Sequence, residues 1–172
     1  GKLRRIPNGV NTREFTPPSV GERDDIILYV GTLIKRKGVR YLLRAWAAIL
    51  ESLPSYRLVI VGEGPEGAAL RELARQLGVQ DRVRFVGFRP PDEVRDWMQR
   101  ARVLTLPSLE EGLGVVLLEA MACGTPVIGS RVDGIREVIT PEVGALVPPG
   151  DPGALAEAIE KTFEALLQRF WE

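Results

Sequence analysis

Residues 103–129 read VLTLPSLEEGLGVVLLEAMACGTPVIG, and they contain a strand, a loop, a helix and a second strand in succession. The apolar run 103–106 ends at Pro107, as a buried strand does. Apolar residues at helical spacing then predict a helix over about 113–123, and a short strand is predicted over 126–129. A helix that connects two strands in this way places them parallel in one sheet.

The same alternation continues on both sides of this unit. Apolar runs followed by Gly or Pro predict further strands at 26–30, 58–61, 83–86 and 145–147. Helical spacing predicts further helices at 39–53, 70–77, 94–101, 135–139 and from Asp151-Pro152 onward. We therefore expect a doubly wound, Rossmann-like α/β fold with a mostly parallel sheet of about six strands and helices on both faces. Ligands of such folds bind at the carboxyl ends of the strands.

Length and composition indicate one domain and argue against several classes of function. The 172 residues suit a single domain, with residues 1–25 as an extended lead-in segment. Lys and Arg balance Asp and Glu at 23 each, which argues against nucleic-acid binding. The absence of histidine removes the commonest general base and metal ligand, and the single cysteine, Cys123, excludes a disulfide within the chain. We expect a cytoplasmic protein, because the sequence contains neither a membrane-spanning run nor a signal peptide.

A cationic loop follows the first predicted strand. Residues 31–38 read GTLIKRKG and carry Lys35, Arg36 and Lys37 at the carboxyl end of that strand. Cations at this edge of a sheet suit phosphate recognition, because they can donate charged hydrogen bonds to phosphate oxygens. The alternative interpretation is a cationic loop that is merely solvated.

Two carboxylates belong to the helix predicted over 113–123 and the loop before it. Glu111 lies in the preceding loop, where Gly112 and Gly114 allow the backbone to approach a ligand closely. The free amides at the helix start suit an anion such as a diphosphate. Glu119 shares a helix face with apolar residues, so its carboxylate needs hydrogen-bond donors, which ribose hydroxyls would supply. The alternatives are a Glu119 bonded to nearby backbone or at a wet edge, and a Glu111 that is an ordinary surface carboxylate.

Three further glycines match the pattern of a dinucleotide-binding turn. Gly62, Gly64 and Gly67 spell G-x-G-x-x-G between a strand and a helix. That pattern requires an acidic residue at the end of the next strand, where this chain has Gly87-Phe88-Arg89. We therefore interpret the glycines as turn residues that could line a ligand cleft from one side.

Glu111 and Glu119 have E-x7-E spacing, which resembles that of the retaining GT-B glycosyltransferases of family 4, glycosyl transferases group 1. The resemblance covers nearly the whole chain, in order. The other segments that carry it are Ile6-Pro7-Asn8-Gly9-Val10-Asn11-Thr12, Val30-Gly31-Thr32-Leu33, Lys37-Gly38, Val61-Gly62-Glu63-Gly64-Pro65, Phe85-Val86-Gly87, Leu118-Glu119-Ala120-Met121-Ala122-Cys123-Gly124-Thr125-Pro126-Val127 and Val147-Pro148-Pro149-Gly150-Asp151-Pro152.

The resemblance implies roles for particular residues. As catalytic residues, Glu111 would contact hydroxyls of the donor sugar and Lys37 would neutralise the diphosphate, while Glu119 would accept hydrogen bonds from the ribose. The other implied donor-binding residues are Gly31, Thr32 and Arg36, the amides of Gly112, Leu113 and Gly114, and Gly87, Phe88 and Arg89 against the base. Thr32 departs from the family, which often has Arg there, so the diphosphate would bind more weakly unless Arg36 or Lys35 compensates.

The implied reaction is transfer of a sugar, in the manner of a hexosyltransferase, from a nucleoside-diphosphate sugar to an unknown acceptor with retained anomeric configuration. No D-x-D motif occurs, so neither a metal nor another cofactor is expected. The resemblance also implies that an N-terminal acceptor domain is absent, and any peripheral membrane contact would run only through that domain. We expect the isolated chain to bind nucleotide weakly and to transfer nothing measurable.

Two other functions remain open at this point. A non-catalytic α/β protein-interaction module with a decayed nucleotide site is favoured by Thr32. A sugar phosphorylase of the same overall architecture would use a lysine-bound cofactor, for which the sequence carries no motif.

Overall fold

The computed structural model describes residues 9–19 and 23–168, and they contain a six-stranded sheet. Its strands are β1 Ile26–Val30, β2 Arg57–Val61, β3 Val83–Gly87, β4 Val103–Leu106, β5 Val127–Ser130 and β6 Gly144–Val147. They lie in the order β3-β2-β1-β4-β5-β6, and every neighbouring pair is parallel. The predicted Rossmann-like α/β class is therefore confirmed. Of the lead-in predicted over 1–25, residues 1–8 and 20–22 lie outside the described residues.

Five α-helices cover the sheet in two groups within the described ranges. They are α1 Val39–Ile49, α2 Gly67–Gln76, α3 Pro91–Arg100, α4 Val115–Ala122 and α5 Pro152–Gln168. Helix α1 packs against α2 and α5, whereas α3 packs against α4. This grouping is that of a doubly wound fold, whose crossover helices lie on opposite faces of the sheet. None of the helices in the described part of the chain is long and apolar enough to cross a membrane.

The central strands are apolar along their whole length because both of their faces are covered. Ile27, Leu28 and Tyr29 of β1 are all fully buried, and Trp46 of α1 is buried above them. Each large apolar side chain buried in this way contributes roughly 1.5–3 kcal/mol to the free energy of folding. The position of β1 at the centre of the sheet therefore explains why its residues are apolar without interruption and do not alternate between apolar and polar.

Two of the predicted helices need correction. Helix α1 ends at Ile49 rather than at residue 53, because turns follow it at residues 50–52 and 54–55. Leu50 and Leu53 still pack against the core. The helix predicted over 135–139 is instead a run of turns with mixed hydrogen-bond spacing. Ile135 and Ile139 of this run still pack on one side, since both fill the space beside Gly129, where a Cβ would lie 2.6 Å from one and 2.8 Å from the other.

Arg23 ties the lead-in segment to the carboxyl-terminal ends of α3 and α4. Its guanidinium donates hydrogen bonds to Thr125 Oγ1 at 2.6 Å and to the backbone oxygens of Met98 (3.2 Å), Gln99 (2.9 Å), Ala101 (2.9 Å) and Cys123 (2.8 Å). The last carbonyls of a helix lack intrahelical donors and carry partial negative charge, so a cation satisfies them well. Arg23 therefore fixes the carboxyl-terminal end of α4, whereas the first turn of this helix lies at the opposite end.

We predict that Arg23→Met lowers the free energy of unfolding by about 2–3 kcal/mol, because it leaves several buried acceptors without a donor. Urea denaturation followed by circular dichroism measures the change. Arg13→Met is the matched control, since Arg13 is an exposed residue of the same segment and its side chain makes no hydrogen bond with the described residues. Equal losses in the two variants would contradict a specific role for Arg23.

Candidate functional site

The candidate site lies where the connections of two adjacent strands diverge. Strands β1 and β4 are parallel neighbours, but β1 continues through α1 to β2 on one side and β4 continues through α4 to β5 on the other. The loops 31–38 and 107–114 consequently separate at the carboxyl edge of the sheet and leave a crevice between them. A crevice at such a topological switch point is the usual ligand site of open α/β sheets.

Glycines allow the two loops to touch backbone to backbone at the rear of this crevice. Gly38 has a φ of 67°, and a Cβ at this position would lie 2.0 Å from the carbonyl oxygen of Pro107. The amide of Leu109 donates a hydrogen bond of 2.7 Å to the carbonyl of Arg36. Only glycine fits at residue 38 in this arrangement, so the loops are held at a fixed separation.

The G-x-G-x-x-G match serves the same kind of contact between loops. A Cβ on Gly62 would lie 2.0 Å from the carbonyl oxygen of Gly31, and a Cβ on Gly64 would lie 2.4 Å from that of Leu33. The Leu33 amide also donates a 2.9 Å hydrogen bond to the Glu63 carbonyl. These glycines therefore pack the loop after β2 against the loop after β1, in agreement with the interpretation as turn residues.

A cavity of about 350 Å³ occupies the crevice and is lined by most of the predicted site residues. The predicted residues that line it are Gly31, Thr32 and Lys37 from the first loop, Glu111, Leu113 and Gly114 from the second, and Glu119 from α4. Val115 and Val116 also line it, and they form the first turn of α4, where amides lack intrahelical acceptors. The cavity thus offers free amides, one cation and two carboxylates to a ligand.

Lys37 and Glu111 form an ion pair inside this cavity. The Lys37 Nζ donates a hydrogen bond to Oε2 of Glu111, and the two side chains are only 18% and 13% exposed. Ser108 Oγ donates a 3.3 Å hydrogen bond to the same oxygen, and the amide of Gly112 donates one of 3.1 Å to Oε1. Glu111 is therefore held by three donors and is not an ordinary surface carboxylate.

The two carboxylates have pKa values displaced in opposite directions. Burial alone would raise the pKa of Glu111, but the hydrogen bond and the charge of Lys37 outweigh it and lower that pKa below its usual value. Burial raises the pKa of Glu119, and the nearby carboxylate of Glu14 adds to this rise. Among the described residues, no hydrogen bond reaches the Glu119 carboxylate, so its acceptors are available to a ligand.

Lys37 is the one cationic side chain that lines the cavity within the described chain. Arg36 and Lys35 are exposed and lie outside the lining, so in this conformation neither supplies the charge that Thr32 lacks. Thr32 contributes to the lining, and its carbonyl oxygen accepts a 3.1 Å hydrogen bond from the Tyr29 hydroxyl. The structure therefore separates Arg36 from the other predicted residues of the first loop.

Gly87 is the last residue of β3, and Phe88 and Arg89 follow it at the same edge of the sheet. None of the three lines the cavity. The Gly87 carbonyl accepts a 2.8 Å hydrogen bond from the Gly62 amide, and the Phe88 amide donates one of 3.2 Å to Glu63. The Phe88 side chain is 68% exposed, whereas Arg89 pairs with Glu93 at 3.2 Å. Contact of this loop with a base stays a prediction, and so does the role of the Gly112 amide, which bonds to Glu111 here.

Sequence reasoning missed two polar residues near the carboxylates. Ser108 is buried and bonds to Glu111 three positions later, but no motif distinguishes it from any other loop serine. Glu14 lies in the lead-in segment, and its charge raises the pKa of Glu119, which is far away in the sequence. No sequence pattern could have revealed the effect of Glu14, because it depends on how two separate segments meet.

Comparison with known proteins identifies the family. Residues 11–166 match the family Glycosyl transferases group 1. An uncharacterized glycosyltransferase of Methanocaldococcus jannaschii is 40% identical over 174 residues, which cover 93% of this chain and 44% of that protein. The chain therefore spans less than half the length of this curated relative.

Solved structures show the same similarity. A sucrose-phosphate synthase from Thermosynechococcus elongatus is similar with a TM-score of 0.84 at 38% identity, covering 95% of this chain and 44% of that one. Anabaena HepE in complex with UDP and glucose has a TM-score of 0.81 at 26% identity, covering 92% and 46%. The C-terminal domain of a glycosyl transferase group 1 family protein from Francisella tularensis has a TM-score of 0.81 at 25% identity, covering 91% and 88%. The chain belongs to the glycosyl transferases group 1 family and has the fold of a GT-B C-terminal domain.

Proposed function

We propose that this chain is the donor-binding domain of a retaining family 4 glycosyltransferase, which transfers a sugar from a nucleoside-diphosphate sugar to an acceptor. The observation that carries the proposal is the single cavity at the switch point, which contains Lys37, Glu111 and Glu119 together with the first turn of α4. Each of these groups matches one part of a nucleotide-sugar. The similarity to a structure that contains UDP and glucose supports this class of ligand.

Glu119 is suited to a ribose because its carboxylate has acceptors to offer. It is half-buried, its pKa is raised by burial, and no donor within the described residues satisfies it. A buried carboxylate without donors is unfavourable, so its presence inside an apolar helix calls for a ligand that supplies them. Two neighbouring ribose hydroxyls are donors of the right kind.

The diphosphate would lie between Lys37 and the first turn of α4. The amides of Leu113, Gly114 and Val115 and the partial positive charge of the helix start favour an anion. During transfer, negative charge develops on the leaving diphosphate, and fixed donors of this kind stabilise it. Gly31 and Thr32 complete the wall of the cavity on the side of the first loop.

Phe88 is the residue that we propose to contact the base, with Gly87 and Arg89 beside it. Its ring is 68% exposed at the same sheet edge as the cavity, and few large apolar side chains of the described chain are so exposed. Aromatic rings stack on every nucleobase because each base has a π-face. This contact would hold a base without determining which base it is.

The reaction requires a second domain that brings the acceptor. The chain covers 44% of the length of its Methanocaldococcus relative, which leaves room for such a domain in the relative. We propose that the N-terminal part of the enzyme binds the acceptor, makes any contact with a membrane surface and closes the cavity against water. The isolated chain then binds nucleotide weakly and transfers no sugar. The complete enzyme uses no metal or other cofactor and acts in the cytoplasm.

A protein-interaction module with a decayed nucleotide site is the second candidate. Two observations favour it. Thr32 brings no charge, and Lys37, the single cation that lines the cavity within the described residues, is already paired with Glu111. Loss of nucleotide binding in a variant of Glu119 distinguishes the two functions, because only a donor site uses that carboxylate.

We predict that Glu119→Ala weakens nucleoside diphosphate binding at least about tenfold, because it removes hydrogen bonds between hydroxyls and a charged acceptor. Isothermal titration calorimetry with UDP, GDP and ADP measures the affinities of the wild-type chain and the variant. Glu51→Ala is the control, since Glu51 is an exposed carboxylate that does not line the cavity. Unchanged binding by Glu119→Ala would favour the interaction module.

We also predict that the two carboxylates affect stability with opposite signs at pH 7. Glu119 has a raised pKa, so its contribution to stability is present at low pH and is lost as the pH rises through that pKa. Glu111 has a lowered pKa, so its contribution is present at neutral pH and is lost as the pH falls through that pKa. Glu119→Gln should therefore raise the melting temperature at pH 7, and Glu111→Gln should lower it.

Both changes in melting temperature should become smaller toward pH 4. The wild-type carboxylates are protonated to a greater extent there, so they differ less from the neutral amide of the variants. The expected magnitudes are a few tenths to about 1 kcal/mol, because Glu119 is only half-buried and because burial offsets part of the stabilisation that Lys37 gives to Glu111. Differential scanning calorimetry at several pH values measures them. A loss of stability in Glu119→Gln at pH 7 would contradict the view that this carboxylate is kept for a ligand.

A further inference from the structure

We propose that the Lys37–Glu111 ion pair competes internally with the ligand and makes the site discriminate an intact nucleotide-sugar from a free nucleoside diphosphate. The inference rests on the proposed function and concerns the same cavity. The pair then sets a preference between donor and product, in addition to the contacts that the proposed function assigns to its two members.

Among the described residues that line the cavity, Lys37 is the only cation that the diphosphate can contact. The Lys37 Nζ donates a hydrogen bond to Glu111. Arg36 and Lys35 lie outside the lining and Thr32 is uncharged. An anion that enters the cavity must therefore draw Lys37 away from Glu111 or share it.

Glu111 loses its charged partner when Lys37 turns to an anion. It keeps the hydrogen bonds from Ser108 Oγ and the Gly112 amide, but these neutral donors do not replace a cation on a largely buried carboxylate. A new donor to Glu111 is then needed to recover the lost interaction. The ligand itself must supply it.

A nucleotide-sugar and a free nucleoside diphosphate differ at this point. The sugar of an intact donor extends beyond the diphosphate, and its hydroxyls can donate to Glu111 in place of Lys37. A nucleoside diphosphate has no such hydroxyls, so it satisfies Lys37 and leaves Glu111 without a charged or ligand-supplied donor. The site therefore binds the nucleotide-sugar more tightly than the nucleoside diphosphate, because only the nucleotide-sugar leaves no buried polar group unsatisfied.

The same difference favours release of the product. When the sugar has left, Glu111 again lacks a donor, and Lys37 returns to it from the diphosphate. The nucleoside diphosphate then loses its only cationic partner among the described side chains of the cavity. The ion pair therefore weakens product binding more than donor binding.

The test uses Glu111→Gln, which keeps the shape of the side chain and removes its charge, so that Lys37 is free for the diphosphate. Calorimetric titration of the wild-type chain with UDP, GDP and ADP first identifies the nucleotide that binds. We expect Glu111→Gln to bind that nucleoside diphosphate about tenfold more tightly than the wild type does. The gain in affinity of the corresponding glucose conjugate should be smaller, so that the preference for donor over product falls.

Glu110→Gln is the matched control. It removes the same charge from the adjacent residue, which is exposed and does not line the cavity. We expect it to change the affinity for the nucleoside diphosphate less than about twofold, because an exposed charge is screened by solvent. Equal tightening in both variants would show a general effect of charge and would overturn the inference.

A double-variant cycle separates competition for Lys37 from other effects. Lys37→Met should weaken nucleoside diphosphate binding, and Glu111→Gln should add no tightening when Lys37 is absent. Unchanged or weaker nucleoside diphosphate binding by Glu111→Gln alone would overturn the inference but leave the proposed function intact. If neither the wild type nor Glu111→Gln binds any of the three nucleotides at millimolar concentration, the proposed function itself fails.

Discussion

The backbone contact between Gly38 and Pro107 is the constraint on which the site depends. A side chain at residue 38 would collide with the Pro107 carbonyl at 2.0 Å, so only glycine permits this approach. The contact draws together the loops that follow β1 and β4, which the topology would otherwise leave to diverge. As a result, Lys37 reaches Glu111 although 74 positions separate them in the sequence.

The two carboxylates of the candidate site affect the stability of the fold in opposite ways. Glu111 is supported by a cation and two neutral donors, so its charge is favourable within the fold. Glu119 is half-buried near another carboxylate and receives no hydrogen bond from the described residues, so its charge is unfavourable there. Sites whose groups are poorly satisfied without a ligand commonly weaken the fold that carries them.

The strands, their order along the chain and the place of the site could be predicted from sequence, because buried parallel strands are continuous apolar runs. The end of α1 could not, since Leu50 and Leu53 keep the helical spacing after the backbone has left the helix. For the loop cations, the resemblance named both Lys37 and Arg36, but only Lys37 lines the cavity. Lys35–Lys37 forms a 3-10 turn, in which successive side chains diverge by about 120°, so one cation lines the cavity and its neighbours do not.

The proposed competition between internal partners and the ligand gives the cavity selectivity at the expense of affinity. The polar groups of a ligand can accept hydrogen bonds from the free amides of the first turn of α4. They can also replace an internal partner, as at Lys37 and Glu111, or donate to an acceptor that has no partner among the described residues, as at Glu119. A fragment of the ligand meets only some of these requirements and leaves a buried group unsatisfied, whereas the complete ligand meets them all. Selection for completeness therefore follows from the electrostatics of one small cavity, and it needs no change in the position of any strand or helix.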